Sequence, residues 1–235
     1  KGKNNLRTLT SIEEFSKKSN IDQERLIDYI SEFESAARQY RNKRTRPALD
    51  DKIIASWNGL TIRGLVESSK ALNDQNIAIK SFKTGHFILN NLLIENRLYR
   101  NFKNGKASTQ AYLDDYVWII DGFIGLYDIS LDFKWLKVAK SLADYVVKNF
   151  YDDSEGFFYY TDVNSEPLLA RKKEFIDNVL PSSNAGMAKN LHILGHYFQS
   201  DGFLNVSDIM ITKMSQAVKT NPGYLTYWAS AALKQ

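Results

Sequence analysis

The stretch Leu113-Asp114-Asp115-Tyr116-Val117-Trp118-Ile119-Ile120-Asp121-Gly122-Phe123-Ile124-Gly125-Leu126-Tyr127 decides the fold. At 3.6 residues per turn, Tyr116, Val117, Ile119, Ile120, Phe123, Ile124 and Tyr127 fall on every side of one helix. A helix that is apolar all round is buried all round, so other helices must enclose this one. The following segment, from about Phe133 to Phe150, has a different pattern. Lys137, Ser141, Asp144 and Lys148 form a polar stripe, and Leu136, Ala139, Ala143, Val146 and Val147 fill the rest. That segment reads as an outer helix laid against the inner one.

Working outward, the periodicity predicts eight helices. They cover about residues 22–44, 52–72, 75–93, 109–129, 133–150, 183–198, 203–219 and 224–234. The helix at 183–198 is again apolar on most sides, and the next again shows a polar stripe. An inner, outer, inner, outer alternation is what two concentric layers of helical hairpins require. A weak internal repeat agrees with it. His86-Phe87-Ile88-Leu89-Asn90-Asn91-Leu92 resembles Asp144-Tyr145-Val146-Val147-Lys148-Asn149-Phe150, and Gly64-Leu65-Val66 resembles Gly122-Phe123-Ile124. Both pairs lie about 58 residues apart, a period too long for tetratricopeptide hairpins.

The connectors are unequal. Inner-to-outer turns are short: Asn73-Asp74, Ser130-Leu131-Asp132 and Ser200-Asp201-Gly202. Outer-to-inner connectors are long. The one at 94–108 carries the strand-like Leu98–Phe102, and the one at 151–182 carries Gly156–Thr161. In a hairpin array all inner helices run one way, so the long connectors share one face with the inner-helix N-termini. Long ordered loops tend to carry function.

Three polar clusters fall at that mouth: Asp50-Asp51-Lys52 with Trp57-Asn58-Gly59, then Asp114-Asp115-Tyr116, then Arg171-Lys172-Lys173-Glu174 with Asp177-Asn178 and Ser182-Ser183-Asn184. Asp50 and Ser182 read first as helix caps. Asp114 and Asp115 lie inside an apolar helix, where a carboxylate needs a partner or a polar cavity. Glu174 reads either as a surface ion pair with Lys173 or Arg171 or as an acid. Converging carboxylates would suit acid/base chemistry on sugars. Asp51, Asp115 and Glu174 are therefore the catalytic candidates. Trp57, Tyr116 and Tyr160 offer stacking surfaces. Asn58, Asp114, Arg171, Lys173, Asp177, Asn178, Ser182 and Asn184 complete the candidate substrate-binding set.

Composition narrows the chemistry. The 235 residues include no cysteine, so disulfides, thiolate catalysis and Cys-ligated zinc are excluded. The net charge of +4 is a mild excess. The Arg38–Arg46 cluster sits at a helix end where positive charge suits the dipole, so no nucleic-acid partner is expected. No apolar stretch is long enough to span a membrane. No signal peptide opens the chain, and a cytoplasmic location follows as the default. His192 and His196, one turn apart, read as polar core histidines. No metal and no cofactor are expected.

The three clusters also resemble a known family. Arg46-Pro47-x-x-Asp50-Asp51-Lys52-x4-Trp57-Asn58-Gly59-Leu60 looks like a signature of thioredoxin-domain proteins of the spermatogenesis-associated type. Leu113-Asp114-Asp115-Tyr116 looks like the family's Leu-Glu-Asp-Tyr, with Asp at 114. Lys173-Glu174-x-x-Asp177-Asn178-x-x-Pro181-Ser182-x-Asn184 resembles a third block. The resemblance implies an all-α (α/α)6 toroid of the six-hairpin glycosidase-like type, shared with N-acylglucosamine 2-epimerases. The chain would form a single partial toroid over 1–235. The thioredoxin-like domain and the early hairpins would lie outside it, as interior-looking Lys1-Gly2-Lys3-Asn4-Asn5 also suggests. A carbohydrate or other small-molecule ligand, self-association through the open ring, and a thioredoxin-like domain elsewhere in a longer protein are the expected partners. The competing expectation is a non-catalytic module or scaffold that positions such a domain.

Overall fold

The computed structural model describes residues 7–165 and 170–233. The chain divides into two compact units, Lys1–Asp50 and Asp51–Gln235. The division falls in the extended segment after Arg44, where Pro47 denies the helix a continuation.

The first unit is a pair of helices, α1 (Ile12–Ser19) and α2 (Gln23–Asn42). Helix α1 is an addition to the eight expected helices. Its end signals are nevertheless present in the sequence. Ser11 accepts the Glu14 amide at 3.1 Å, and Asn20 ends the helix in the left-handed region at φ 54°.

The second unit is an array of hairpins. Helix α3 (Ala55–Leu72) pairs with α4 (Gln75–Asn91), α5 (Leu113–Ser130) with α6 (Phe133–Phe150), and α7 (Ser183–Phe198) with α8 (Asp201–Thr220). A 3₁₀ turn at Pro222–Tyr224 precedes the short α9 (Thr226–Ala232). Between α5 and α3 the starts and the ends both differ by 58 residues, and α6 begins 58 residues after α4. The repeat read from the sequence is therefore a repeat of hairpins.

Every residue of α5 from Leu113 to Leu126 is buried, and α7 is nearly as enclosed. These are the inner helices. Helix α6 buries one face only, through residues such as Trp135, Leu136, Ala139 and Val146. Neighbouring inner helices touch backbone to backbone. A Cβ on Gly59 would overlap the Trp118 carbonyl, and one on Gly122 would stand 3.1 Å from the Gly59 oxygen. Gly59 faces Trp118, Ile62 faces Gly122 and Val66 faces Gly125, so α3 and α5 run parallel.

The inner-to-outer turns share one design. Asn73, Leu131 and Gln199 take left-handed backbone at the inner-helix ends, and Asp74, Asp132 and Ser200 then cap the outer helices. The long connectors fold into sheet. Strand β1 (Ile53–Ile54) lies along β3 (Arg97–Lys103), which also pairs with β2 (Leu93–Ile94) and β4 (Lys106–Gln110), all antiparallel. A two-stranded ribbon joins β5 (Tyr151–Asp152) to β6 (Phe157–Phe158). The helices expected from residues 52 and 109 thus begin later, because β1 and β4 take up their first residues.

Candidate functional site

The two β elements and the 170–182 segment are stitched to the mouth of the inner helices. The Leu113 amide donates to the Tyr160 carbonyl at 2.9 Å, and the Tyr160 amide donates to the Lys172 carbonyl at 2.7 Å. The connectors therefore hold fixed positions around the start of α5. They enclose a cavity of about 720 Å³. Its wall includes Trp57 from α3, Arg100 from β3, Asp114 from α5 and Tyr160. Lys173, Glu174, Asn178 and Ser182 of the last connector complete the polar lining.

Arg100 organises the carboxylates. Its Nη1 donates to Asp115 at 2.8 Å and to Asp114 at 3.2 Å, while its guanidinium lies 5.0 Å from the Tyr112 ring centre. Burial works against its charge, but Asp115 and Asp114 keep its pKa raised. Asp115 is fully buried. It also accepts the Ser56 amide at 3.0 Å and the Tyr112 amide at 3.0 Å. Burial and the adjacent Asp114 push Asp115 up to about 6, against the pull of Arg100 and the two amides.

Glu174 has different surroundings. The Ser183 hydroxyl reaches its Oε2 at 3.4 Å, and none of the ion pairs of the described residues involves it. Burial, then the charge of Asp114, raises its pKa. Tyr160 is raised as well, by burial first and then by Asp114. Lys173 is not a free cation. It is tied to Asp152 at 2.5 Å and Glu155 at 2.6 Å, over the Tyr159 ring.

Several expected site residues lie elsewhere. Asp51 is half-exposed, paired with Lys103 at 2.6 Å, and forms no part of the cavity wall. Asp115 is sealed beneath the cavity. Tyr116 is buried, its hydroxyl accepting the Leu98 amide at 3.1 Å, and it stacks on Tyr145. Asn58 donates to the Ile54 carbonyl. Arg171 lies over the Tyr159 ring and donates to the Thr161 carbonyl. Asp177 holds the Ser182 and Tyr227 amides, fixing the starts of α7 and α9. Asn184 clamps the Phe158 backbone from both sides, at 2.8 and 2.9 Å, and so anchors β6. Ser182, which does line the cavity, also caps α7 and donates to the Glu174 carbonyl at 3.1 Å.

A second charged cluster, missed in the sequence, continues down the same inner helices. Asp121 lies seven residues after Asp114 and therefore on the same face of α5. It meets Lys189 of α7 at 3.2 Å and Arg63 of α3 at 3.9 Å. Lys189 also donates to Tyr227 of α9 at 3.2 Å. Helices α3, α5, α7 and α9 each contribute one residue. The seven-residue spacing and the 58-residue offset from Arg63 to Asp121 were the available signals. Among the described residues, no group of three or more His, Cys, Asp or Glu side chains is placed to hold a metal ion. None of the described helices is long and apolar enough to cross a membrane.

No family model matches the chain. Human spermatogenesis-associated protein 20 is 25% identical over 232 residues, 94% of this chain. The mouse protein of that name is 26% identical over 195 residues. Spermatogenesis-associated protein 20 is a homologue of this chain. The chain spans 30% of the human relative's length. An uncharacterised protein of Caenorhabditis elegans is 26% identical over 230 residues.

Among solved structures, a GH76 α-mannanase of Bacteroides thetaiotaomicron superposes with a TM-score of 0.58 at 16% identity. The match covers 74% of this chain and 48% of that enzyme. Cellobiose 2-epimerase of Spirochaeta thermophila gives 0.58 at 12% identity, over 75% of this chain and 47% of that one. These likenesses carry the fold: the helical array is of the (α/α)6 six-hairpin glycosidase-like type.

Proposed function

We propose that the cavity at the mouth of the inner helices binds a carbohydrate and performs acid/base chemistry on it. One observation carries this reading. Asp114 and Glu174 line the same cavity from different segments, in unlike surroundings. Arg100 neutralises Asp114, whereas burial and the Asp114 charge favour the protonated form of Glu174. A carboxyl group that favours its protonated form, set beside a carboxylate paired with arginine, is what a general acid working beside an anionic partner needs. Glu174 takes the role of proton donor, and Asp114 that of base or charge stabiliser. Asp114 replaces Asp51 and Asp115 in the acid/base set, since the first is a surface ion pair and the second has no access to a ligand. Trp57 and Tyr160 supply apolar faces against which a sugar ring can stack. The fold's occurrence in a mannanase and an epimerase supports the substrate class.

The test combines a panel of p-nitrophenyl glycosides with proton-exchange NMR of free sugars in D2O. Glu174→Gln and Asp114→Asn are expected to lower turnover by about 10²-fold or more while sugar binding survives. Turnover unaffected by both substitutions would overturn the assignment of roles. The competing reading, a non-catalytic module, draws on the neutralised state of Arg100 and Lys173, which suits packing as well as catalysis. It is favoured if saccharides bind and none is turned over.

A further inference from the structure

Trp57 is 60% exposed, and its indole belongs to two cavities at once. On one side is the acid/base cavity. On the other is a cavity of about 430 Å³ between the first turn of α3 and the middle of α4. Both volumes lie in the range of about 300–1,000 Å³ that holds small ligands. Because the two share a wall, one elongated ligand can occupy both with the indole at its middle.

The two cavities differ in charge. In the first, Arg100 and Lys173 are each held by two carboxylates. With both cations so held, that cavity offers no spare positive charge to an anionic group. In the second, Lys83 is exposed and forms no ion pair among the described residues. Thr84 donates its hydroxyl to the Lys80 carbonyl, leaving its oxygen as an acceptor. Phe87 and Ile54 supply an apolar floor. A sugar ring bearing a negative substituent matches this arrangement, because Lys is a strongly hydrated point charge that pairs with carboxylate or phosphate alike.

We propose that the cavity holding Lys83 is a second subsite, which takes the adjoining, anionic unit of an oligosaccharide whose neighbouring unit sits in the Asp114–Glu174 cavity. This inference rests on the carbohydrate reading above.

Calorimetric titration of the protein with glucose, cellobiose, mannobiose, cellobiouronic acid and cellobiose 6-phosphate tests it. The disaccharides are expected to bind at least tenfold tighter than glucose. At least one anionic disaccharide is expected to bind a further tenfold tighter than its neutral parent, and which one does so identifies the charged group. Lys83→Glu, a surface change away from the core, is expected to erase that preference, read as the ratio of anionic to neutral disaccharide affinity, which a uniform weakening would not move. Trp57→Ala should weaken all disaccharides by at least tenfold. Disaccharides that bind no tighter than glucose, or an anion preference that survives Lys83→Glu, would sink the second subsite and leave the first standing. Binding of none of the five would overturn the carbohydrate reading and the subsite together.

Discussion

The Asp115 carboxylate on α5 accepts the Ser56 amide of α3 at 3.0 Å, so one inner helix caps the start of its neighbour. Helix α3 has no side-chain cap of its own, because its N-cap residue is Ile54. Asp115 also accepts the Tyr112 amide at the start of α5 and neutralises Arg100. Asp115→Ala would leave the Ser56 and Tyr112 amides without their acceptor and Arg100 with Asp114 as its one remaining carboxylate. Losing one partner of a buried ion pair costs about 3–5 kcal/mol. The melting temperature is expected to fall by about 10 °C, at about 2–4 °C per kcal/mol for a protein of this size. Differential scanning calorimetry checks this. A fall of about 2 °C or less would mean that Arg100 and the amides find other acceptors.

Two glycines of α3 are expected to respond in opposite directions. Gly59 faces the Trp118 backbone so closely that a Cβ forces α3 and α5 apart. Gly59→Ala should cost about 1–3 kcal/mol, the usual penalty for overpacking. Gly64 has nothing within 4 Å of a built Cβ and lies in the helix interior. Gly64→Ala should stabilise by about 0.5–1 kcal/mol through the restriction of the unfolded chain. Urea denaturation of both variants measures the contrast. Equal signs would refute the close α3–α5 contact.

The hairpin array was legible because its signal is repeated. Apolar residues on all sides mark α5, one polar stripe marks α6, and the short turns recur at each inner-to-outer junction. The proposed acid/base pair was half legible. Glu174 stands out in a polar block, but the choice between Asp114 and Asp115 depends on which carboxylate turns into the cap. Adjacent residues on a helix point about 100° apart, and the sequence does not say which direction is the cavity. Arg100 was missed because its role follows from the pairing of β3 with its neighbours, which places it over the start of α5. Asp51 was overvalued because its place in a motif-like block carried no information about Lys103, 52 residues later.

Glu174 makes a prediction about pH. Its folded pKa is raised above its ordinary value of 4.5, by burial and then by Asp114. From pH 4.5 up through the folded midpoint, the folded state therefore binds more protons than the unfolded state. Stability contributed by the group is present below 4.5 and is lost as pH rises through that midpoint. Glu174→Gln should flatten this decline. Asp114→Asn should lower the Glu174 midpoint by removing the neighbouring charge, as read by carboxyl ¹³C NMR. A midpoint that stays in place, or rises, would show that Asp114 does not set the proton affinity of Glu174.

The Lys189–Asp121 pair tests whether the lower charged cluster is an obligatory unit. Both side chains are nearly inaccessible, and their nitrogen and oxygen lie 3.2 Å apart between α7 and α5. Desolvating two ions is costly, so the pair contributes little net stability against an apolar equivalent, but either ion alone is expensive. Lys189→Met is expected to destabilise by about 3 kcal/mol, because Arg63 stands 3.9 Å from Asp121 and compensates it only in part. Adding Asp121→Leu to that variant should restore a large part of the loss, since neither member of the pair is then left alone and Arg63 keeps Glu67 and Asp128 as partners. The cycle of the two single variants and the double variant, followed by chemical denaturation, gives the coupling. Additive losses would mean that Lys189 is stabilised mainly by Tyr227, its other partner at 3.2 Å, and that the inner helices are not locked together by this charge pair.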